Sequence, residues 1–426
     1  MSIMGILANK AFMRFYTGFI ISEIGTKMFY LSIFWFVQEK TQEPSYTAWL
    51  GLAITIPQLF MFIFGVFADR YNRRKIMIIT DICSALILLT ITTYTYVIEF
   101  SILFIAVMFS LLNICNNIFF PTSRAFMPST LPEEKLVLGN SLFATGTQIS
   151  TIIASTIGAF LLSKVNIYLF FIFNTITFLF SAFNLFLLRF VLPKESVNKT
   201  VQPKNRKKEK KLFAVKQFIN DVVEGFRVIK SSKILLFMIP GVFFTNIFFV
   251  TFIYLTPGWS QKILHSGPEG YSLLELGLGI GTFLGAFASG WFSKFINIKR
   301  GQILAFLFQS TIVLFPVFPI LIVNVFILFL YGIGSGLANA YTMTLIQHII
   351  PDHQRGRAFG TLMSIMGGVV PIGTFICGLL VNYIGLVGVF WMSGIVCSIG
   401  ALILALTFKF IPIKEQDNKN LLTQVE

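Results

Sequence analysis

Apolar runs of about 20–28 residues recur along this chain, each long enough to cross roughly 30 Å of hydrocarbon as a helix. Twelve can be read, at 11–37, 46–69, 76–98, 101–127, 136–163, 167–192, 233–260, 271–295, 300–321, 324–349, 358–383 and 387–411. Lipid offers a backbone no hydrogen bonds, so each run must satisfy its own amides and carbonyls as a helix. The composition agrees: 12% of residues are charged, against roughly a quarter in soluble domains. The predicted fold class is an all-α polytopic membrane protein with 12 transmembrane helices. The first run lacks a small-residue cleavage site and reads as a retained span.

Twelve crossings put both termini on one side, and the basic residues choose which. With the termini in the cytoplasm, only Lys40, Lys164 and Lys262 of the 33 Lys and Arg residues face outward, and Lys27 lies within a span. That is the positive-inside arrangement, and the predicted location is the cell membrane. The net charge of +15 therefore reports orientation, and no nucleic-acid partner is expected. Residues 193–232 interrupt the pattern: Lys204–Lys211 is strongly basic, and Leu212–Ile229 is amphipathic. This linker should lie on the inner surface, with about 1 kcal/mol of attraction to anionic lipid per basic residue. It divides the chain into a six-helix bundle at 1–192, the linker, a second bundle at 233–411 and a cytoplasmic tail at 412–426.

An internal repeat relates the two bundles. At a shift of 225, Gly65 meets Gly290, Asn72 meets Asn297, Arg74 meets Lys299 and Lys75 meets Arg300, whereas Asp69 meets Lys294. At a shift of 219, Leu131-Pro132-Glu133 meets Ile350-Pro351-Asp352. The four cysteines (Cys83, Cys115, Cys377, Cys397) lie in apolar runs without Cys-x-x-Cys spacing, so neither a disulfide framework nor a metal site is indicated. His265, His348 and His353 fall in or beside loops and form no metal set. No phosphate-binding Gly-x-x-x-x-Gly-Lys-Ser/Thr loop occurs, so gradients rather than ATP should drive any transport. No clustered acid–base set supports a membrane enzyme, and no cofactor is expected. A lipid translocator or a non-transporting scaffold is a further reading that the sequence leaves open.

The turn Gly65-Val66-Phe67-Ala68-Asp69-Arg70-Tyr71-Asn72-Arg73-Arg74-Lys75 resembles the signature loop between helices 2 and 3 of the major facilitator superfamily. Pro121-Thr122-Ser123-Arg124-Ala125-Phe126-Met127-Pro128 with Leu131-Pro132-Glu133-Glu134 is similar to the end of helix 4 in its drug-efflux group, which includes macrolide pumps. Gly356-Arg357-Ala358-Phe359-Gly360, Pro371-Ile372-Gly373 with Gly378, and Glu275-Leu276-Gly277-Leu278 resemble the same group. The resemblance implies two pseudo-symmetric six-helix bundles, a monomer, a substrate site near the midplane and export of an amphipathic small molecule in exchange for protons. Siderophore exporters share the layout, and an uptake symporter of the same fold is the alternative within transport. The resemblance also implies that Gly65, Asp69, Arg70, Arg73 and Arg74 form a cytoplasmic gate, with Asp69 bonding the start of helix 11. Two departures stand against the family's proton-coupling apparatus. Leu111-Leu112-Asn113-Ile114-Cys115-Asn116-Asn117 lacks the helix 4 arginine of many antiporters, and Ser155-Thr156 replaces the Gly-Pro pair ahead of Gly158.

Two acids, Glu23 and Asp81, read as buried within the spans, whereas Asp69 ends the second and Glu275 opens the eighth. Glu23 lies about 13 Å beyond Arg14 at 1.5 Å per residue, close to the bilayer centre. Lys27 is one turn further on the same face. A lone charge there costs about 2.5–3.5 kcal/mol on insertion scales, so the pair should face an interior cavity. It is either a mutually neutralised structural pair or a site where Glu23 takes a proton or cationic group and Lys27 tunes its acidity. Asp81, about 9 Å inside the cytoplasmic end, is expected to pair with the gate arginines. Asn113, Asn116, Asn117, Gln148, Asn246, Gln309 and Asn339 are candidate cavity groups, although interhelical hydrogen bonding explains many such residues. The glycines at 277, 279, 281, 285, 332, 334 and 336 are consistent with bending during transport or with tight packing alone.

Overall fold

The computed structural model describes residues 8–60, 72–98, 100–188, 233–292, 295–349 and 352–410, and these are helical apart from short connections. Contacts divide the chain into two compact units, Met1–Arg206 and Lys207–Glu426. In the first unit the helices are α1 (Lys10–Thr41), α2 (Pro44–Leu59), α3 (Arg73–Val97), α4 (Ile102–Phe126), α5 (Leu136–Leu162) and α6 (Tyr168–Leu187). In the second they are α7 (Lys233–Phe249), α8 (Gly267–Phe292), α9 (Ile298–Ser310) and α10 (Leu321–Ile349), then α11 and α12 within the run Asp352–Phe410. Among the described residues, nine helices are long and apolar enough to span a membrane, and the last of them holds both α11 and α12.

Local chemistry sets many of the ends. The Asn9 side chain caps α1, accepting the amides of Ala11 (3.0 Å) and Phe12 (3.1 Å). The helix closes at Gln42, which adopts a left-handed φ of 57°, and Pro44 opens α2 two residues later. Asn72 caps α3 by accepting the Lys75 amide (3.1 Å), and Asn297 caps α9 by accepting the Arg300 amide (2.9 Å). Residues aligned by the 225-residue shift thus perform the same capping step in both units.

Three elements depart from the expected spans: the run at 233–260 is divided into Lys233–Phe249, Thr251–Tyr254 and Thr256–Lys262. The run at 300–321 stays α-helical only to Ser310, then tightens into a 3₁₀ turn at Thr311–Leu314. Pro316 and Pro319 follow, and neither can donate the amide an α-helix needs. The expected break at 384–386 shrinks to one non-helical residue, Gly385, at φ 71° and ψ 171°.

The surface confirms lipid as the solvent. On α3, Met77, Thr80, Asp81, Ser84, Ala85 and Leu88 are buried, whereas Ile79, Ile82, Leu86 and Leu89 are exposed. A helix that turns its polar residues inward and its aliphatic ones outward suits hydrocarbon, not water. Inside the first unit, α1 packs on α5 and α6, α3 on α4 and α6, and α2 on α4. Phe143 of α5 centres its aromatic core, with ring centroids 4.6 Å from Phe19 and 5.2 Å from Phe15. Inside the second unit, α8 packs on α10, α7 on the α11–α12 run, and α9 on both. A second aromatic cluster joins Trp259 to Phe390 (4.5 Å) and Phe315 to Phe390 (5.3 Å).

Candidate functional site

Small residues set the rotation of α1. A Cβ at Gly18 would lie 3.4 Å from the Ser181 Cα, and one at Gly25 would overlap the side chains of Thr177 and Asn174. Ser22 is buried between them. The stripe Gly18–Ser22–Gly25 therefore docks on α6 at close range, which turns Glu23 and Lys27 onto a different face. On that face Tyr16 donates its hydroxyl to the Leu142 carbonyl of α5 (2.9 Å), and Ile20 occupies the space a Cβ on Gly146 would need. Further along, Tyr30 reaches α4. Between these two contacts stand Glu23 and Lys27.

The pair is formed: Lys27 Nζ lies 3.6 Å from Glu23 Oε1, and the two side chains are 38% and 21% exposed, respectively. The Tyr30 hydroxyl donates to Asn113 Oδ1 and accepts from Asn116 Nδ2 at 3.3 Å. Asn113 is buried and gives its amide to the Phe109 carbonyl (2.8 Å). Asn117 gives its amide to the Asn113 carbonyl (2.8 Å). Asn113, through its carbonyl oxygen, and the half-buried Asn116, through its amide, thus both link α4 to Tyr30 of α1, while the Asn113 and Asn117 amide N–H groups bond within α4. Glu23 also lies within electrostatic reach of the Tyr30 phenol. The structure joins Glu23, Lys27, Tyr30, Asn113 and Asn116 into one polar constellation. Tyr30 was not singled out from sequence; its spacing of seven from Glu23 is the signal that places it there.

The remaining candidates lie elsewhere. Asp81 is 1% exposed on α3, where it is hydrogen-bonded by Ser181 of α6 and lies near Cys115 of α4. Arg74, one helical face-repeat before it, donates to the carbonyls of Leu185 (2.8 Å) and Phe186 (3.2 Å). Arg73 donates to the Ala125 carbonyl (2.8 Å). Both arginines cover helix C-termini, where carbonyls lack partners and positive charge is favoured. Gly65, Asp69 and Arg70, like residues 193–232 and 412–426, lie outside the described residues. Gln148 and Asn246 are half-buried on α5 and α7, Gln309 is buried on α9, and Asn339 is exposed on α10.

Three further groups had no role in the sequence reading beyond motif membership. Arg124 holds its guanidinium over the rings of Phe120 (5.3 Å) and Phe143 (5.4 Å), a cation–π sandwich at the end of α4. Glu275 is half-buried in α8, one turn from Tyr271 and electrostatically coupled to it. Thr251 joins Cys377 Sγ (2.9 Å) and Ser393 Oγ (2.8 Å). Among the described residues no group of three His, Cys, Asp or Glu could hold a metal.

Helices that expose aliphatic side chains and enclose a half-open ion pair beside an asparagine-lined helix define a multi-pass membrane transporter. The chain belongs to the Major Facilitator Superfamily, whose sequence model matches residues 15–367 and 301–425. It is 27% identical over 330 residues to a proposed bacilysin exporter, BacE, of Bacillus subtilis, covering 76% of this chain and 77% of that one. It is 23% identical over 401 residues to macrolide efflux protein A of Streptococcus pyogenes, covering 91% and 95%. A mutant of the nucleoside transporter NupG superposes with a TM-score of 0.71 at 13% identity, over 94% of this chain and 99% of that one. A mutant of a peptide transporter, POT, does so at 0.71 and 12% identity, over 93% and 94%. These likenesses establish the fold. The family and these relatives are transporters, not enzymes.

Proposed function

We propose that the protein is a proton-coupled exporter of amphipathic small molecules, working by alternating access with both termini in the cytoplasm. Glu23 is the group at which proton and substrate compete. The observation that carries this reading is the ion pair itself: a carboxylate and an ammonium on a membrane helix, both part-open, beside Tyr30 and Asn116. An intramembrane charge costs too much to be kept without a use or a partner, and partial exposure lets a ligand reach this one. Outward direction is supported by the exporter relatives. Asn113, Asn116, Asn117, Gln148, Asn246 and Asn339 are proposed as the substrate-cavity group. Gly65, Asp69, Arg70, Arg73, Arg74 and Asp81 are proposed as the cytoplasmic gate, acting in a monomer embedded in lipid.

The test is accumulation in cells overexpressing the protein, using a macrolide, a zwitterionic fluoroquinolone and a cationic dye, with and without an uncoupler. Accumulation of at least one compound should fall several-fold, and the uncoupler should restore it. Glu23→Gln, expressed to the same level, should remove the energised component. Undiminished proton-driven efflux in that variant would exclude Glu23 as the coupling group.

A further inference from the structure

Resting on the transport reading above, the geometry around Glu23 also bears on the charge of the cargo. The two heads of the pair are 3.6 Å apart and part-open. Several nearby neutral groups are already engaged. The Tyr30 hydroxyl is held between Asn113 and Asn116, and the Asn113 and Asn117 amides are bonded to α4 carbonyls. A ligand that draws one head away therefore strands the other. A simple cation at Glu23 leaves Lys27 with its positive charge unpaired, and a simple anion at Lys27 does the same to Glu23. Leaving one member of an intramembrane ion pair alone costs more than exchanging its partner.

A molecule bearing both an ammonium and a carboxylate avoids that cost. Its ammonium takes the place of Lys27 at Glu23, and its carboxylate takes the place of Glu23 at Lys27. The two α-carbons are four residues apart, about 6 Å along the helix axis, so the side chains can part to admit both groups. Tyr30 adds an aromatic ring on the same side, set edge-on against the buried Phe109 with centroids 5.2 Å apart. We infer that the preferred cargo is a zwitterion, an amphipathic small molecule whose ammonium and carboxylate insert between Glu23 and Lys27.

Three probes of one skeleton separate the charge states at pH 7: phenylalanyl-phenylalanine (zwitterion), its C-terminal amide (cation) and its N-acetyl derivative (anion). Binding to the purified full-length protein in lipid nanodiscs is measured by calorimetry. The zwitterion should bind at least tenfold more tightly than either relative. Glu23→Gln should erase its advantage over the N-acetyl probe, and Lys27→Met its advantage over the amide. The exchanged pair, Glu23→Lys with Lys27→Glu, should restore the preference, which a merely structural pair would not do. Thermal unfolding confirms that each variant is folded. An amide that binds as well as the zwitterion, or no binding by any probe, overturns the inference. If efflux is nevertheless uncoupler-sensitive in the cell assay, only the cargo class falls; if that assay is also silent, the exporter reading falls with it.

Discussion

Asn324 shows what a polar side chain does within an apolar span. Its Nδ2 donates to the carbonyls of Phe315 (2.8 Å) and Phe318 (2.9 Å), and its Oδ1 accepts the Trp259 indole N–H (2.9 Å). Those carbonyls belong to the irregular stretch that follows α9, where prolines have ended the helix. Irregular backbone at such a place is tolerable only when protein groups bond it, and one amide meets most of the need. Asn324→Ala should remove the partner of the buried Trp259 indole N–H and the side-chain donor to the Phe315 carbonyl, while the Phe318 carbonyl keeps the Ile320 amide (2.7 Å), at about 1–3 kcal/mol for each group left unsatisfied. The purified variant should therefore unfold at a clearly lower temperature, and an unchanged transition would mean that water replaces the amide. At this scale the sequence was half legible. The depth of Glu23, Lys27 and Asp81 follows from counting along a helix. The partners of Asp81 and Arg74, on α6 and about a hundred residues away, do not. Tyr30 was masked by the 50 phenylalanines around it, because an aromatic ring in an apolar run carries no local sign that its hydroxyl is used.

Pairs of helices carry a different message. On α8, a Cβ at Gly281 or Gly285 would overlap the carbonyl oxygens of Phe329 or Ile333 on α10. On α10, a Cβ at Gly336 would overlap the Thr282 carbonyl, and one at Gly332 would lie 2.6 Å from the Leu278 carbonyl. Two glycine rows interlock, and their close approach replaces the hydrophobic drive that lipid removes. Gly281→Val should disrupt that seam at about 1–3 kcal/mol or more, measured as lower thermal stability in detergent. Gly290→Ala on the same helix meets nothing within 4 Å and should be near neutral. Equal loss in both variants would attribute the effect to α8 flexibility rather than to the seam. The spacing of these glycines was visible in the sequence, but their partner was not. A Gly-x-x-x-Gly pattern names the face that is close-packed without naming the helix opposite.

For the whole molecule, the asymmetry of basic residues argues for cytoplasmic termini. Lys40 and Lys75 are both exposed and should lie on opposite sides of the membrane. In a background freed of the native cysteines, including the exposed Cys83, Lys40→Cys should react with an impermeant maleimide on intact cells. Lys75→Cys should react only after permeabilisation, and the reverse pattern would place the termini outside. Sequence alone sufficed for class and span count, since hydropathy and length act over one helix or less; it aligned Asn72 with Asn297, both of which the structure shows as helix caps. It overran α9 and widened the gap before α12, where proline and a left-handed glycine act on backbone geometry. Which face of α1 holds the ion pair, and that Asn116 and Tyr30 stand beside it, was settled by Gly18, Ser22 and Gly25 docking on α6. Helix rotation comes from contacts between distant segments, and no local pattern encodes them.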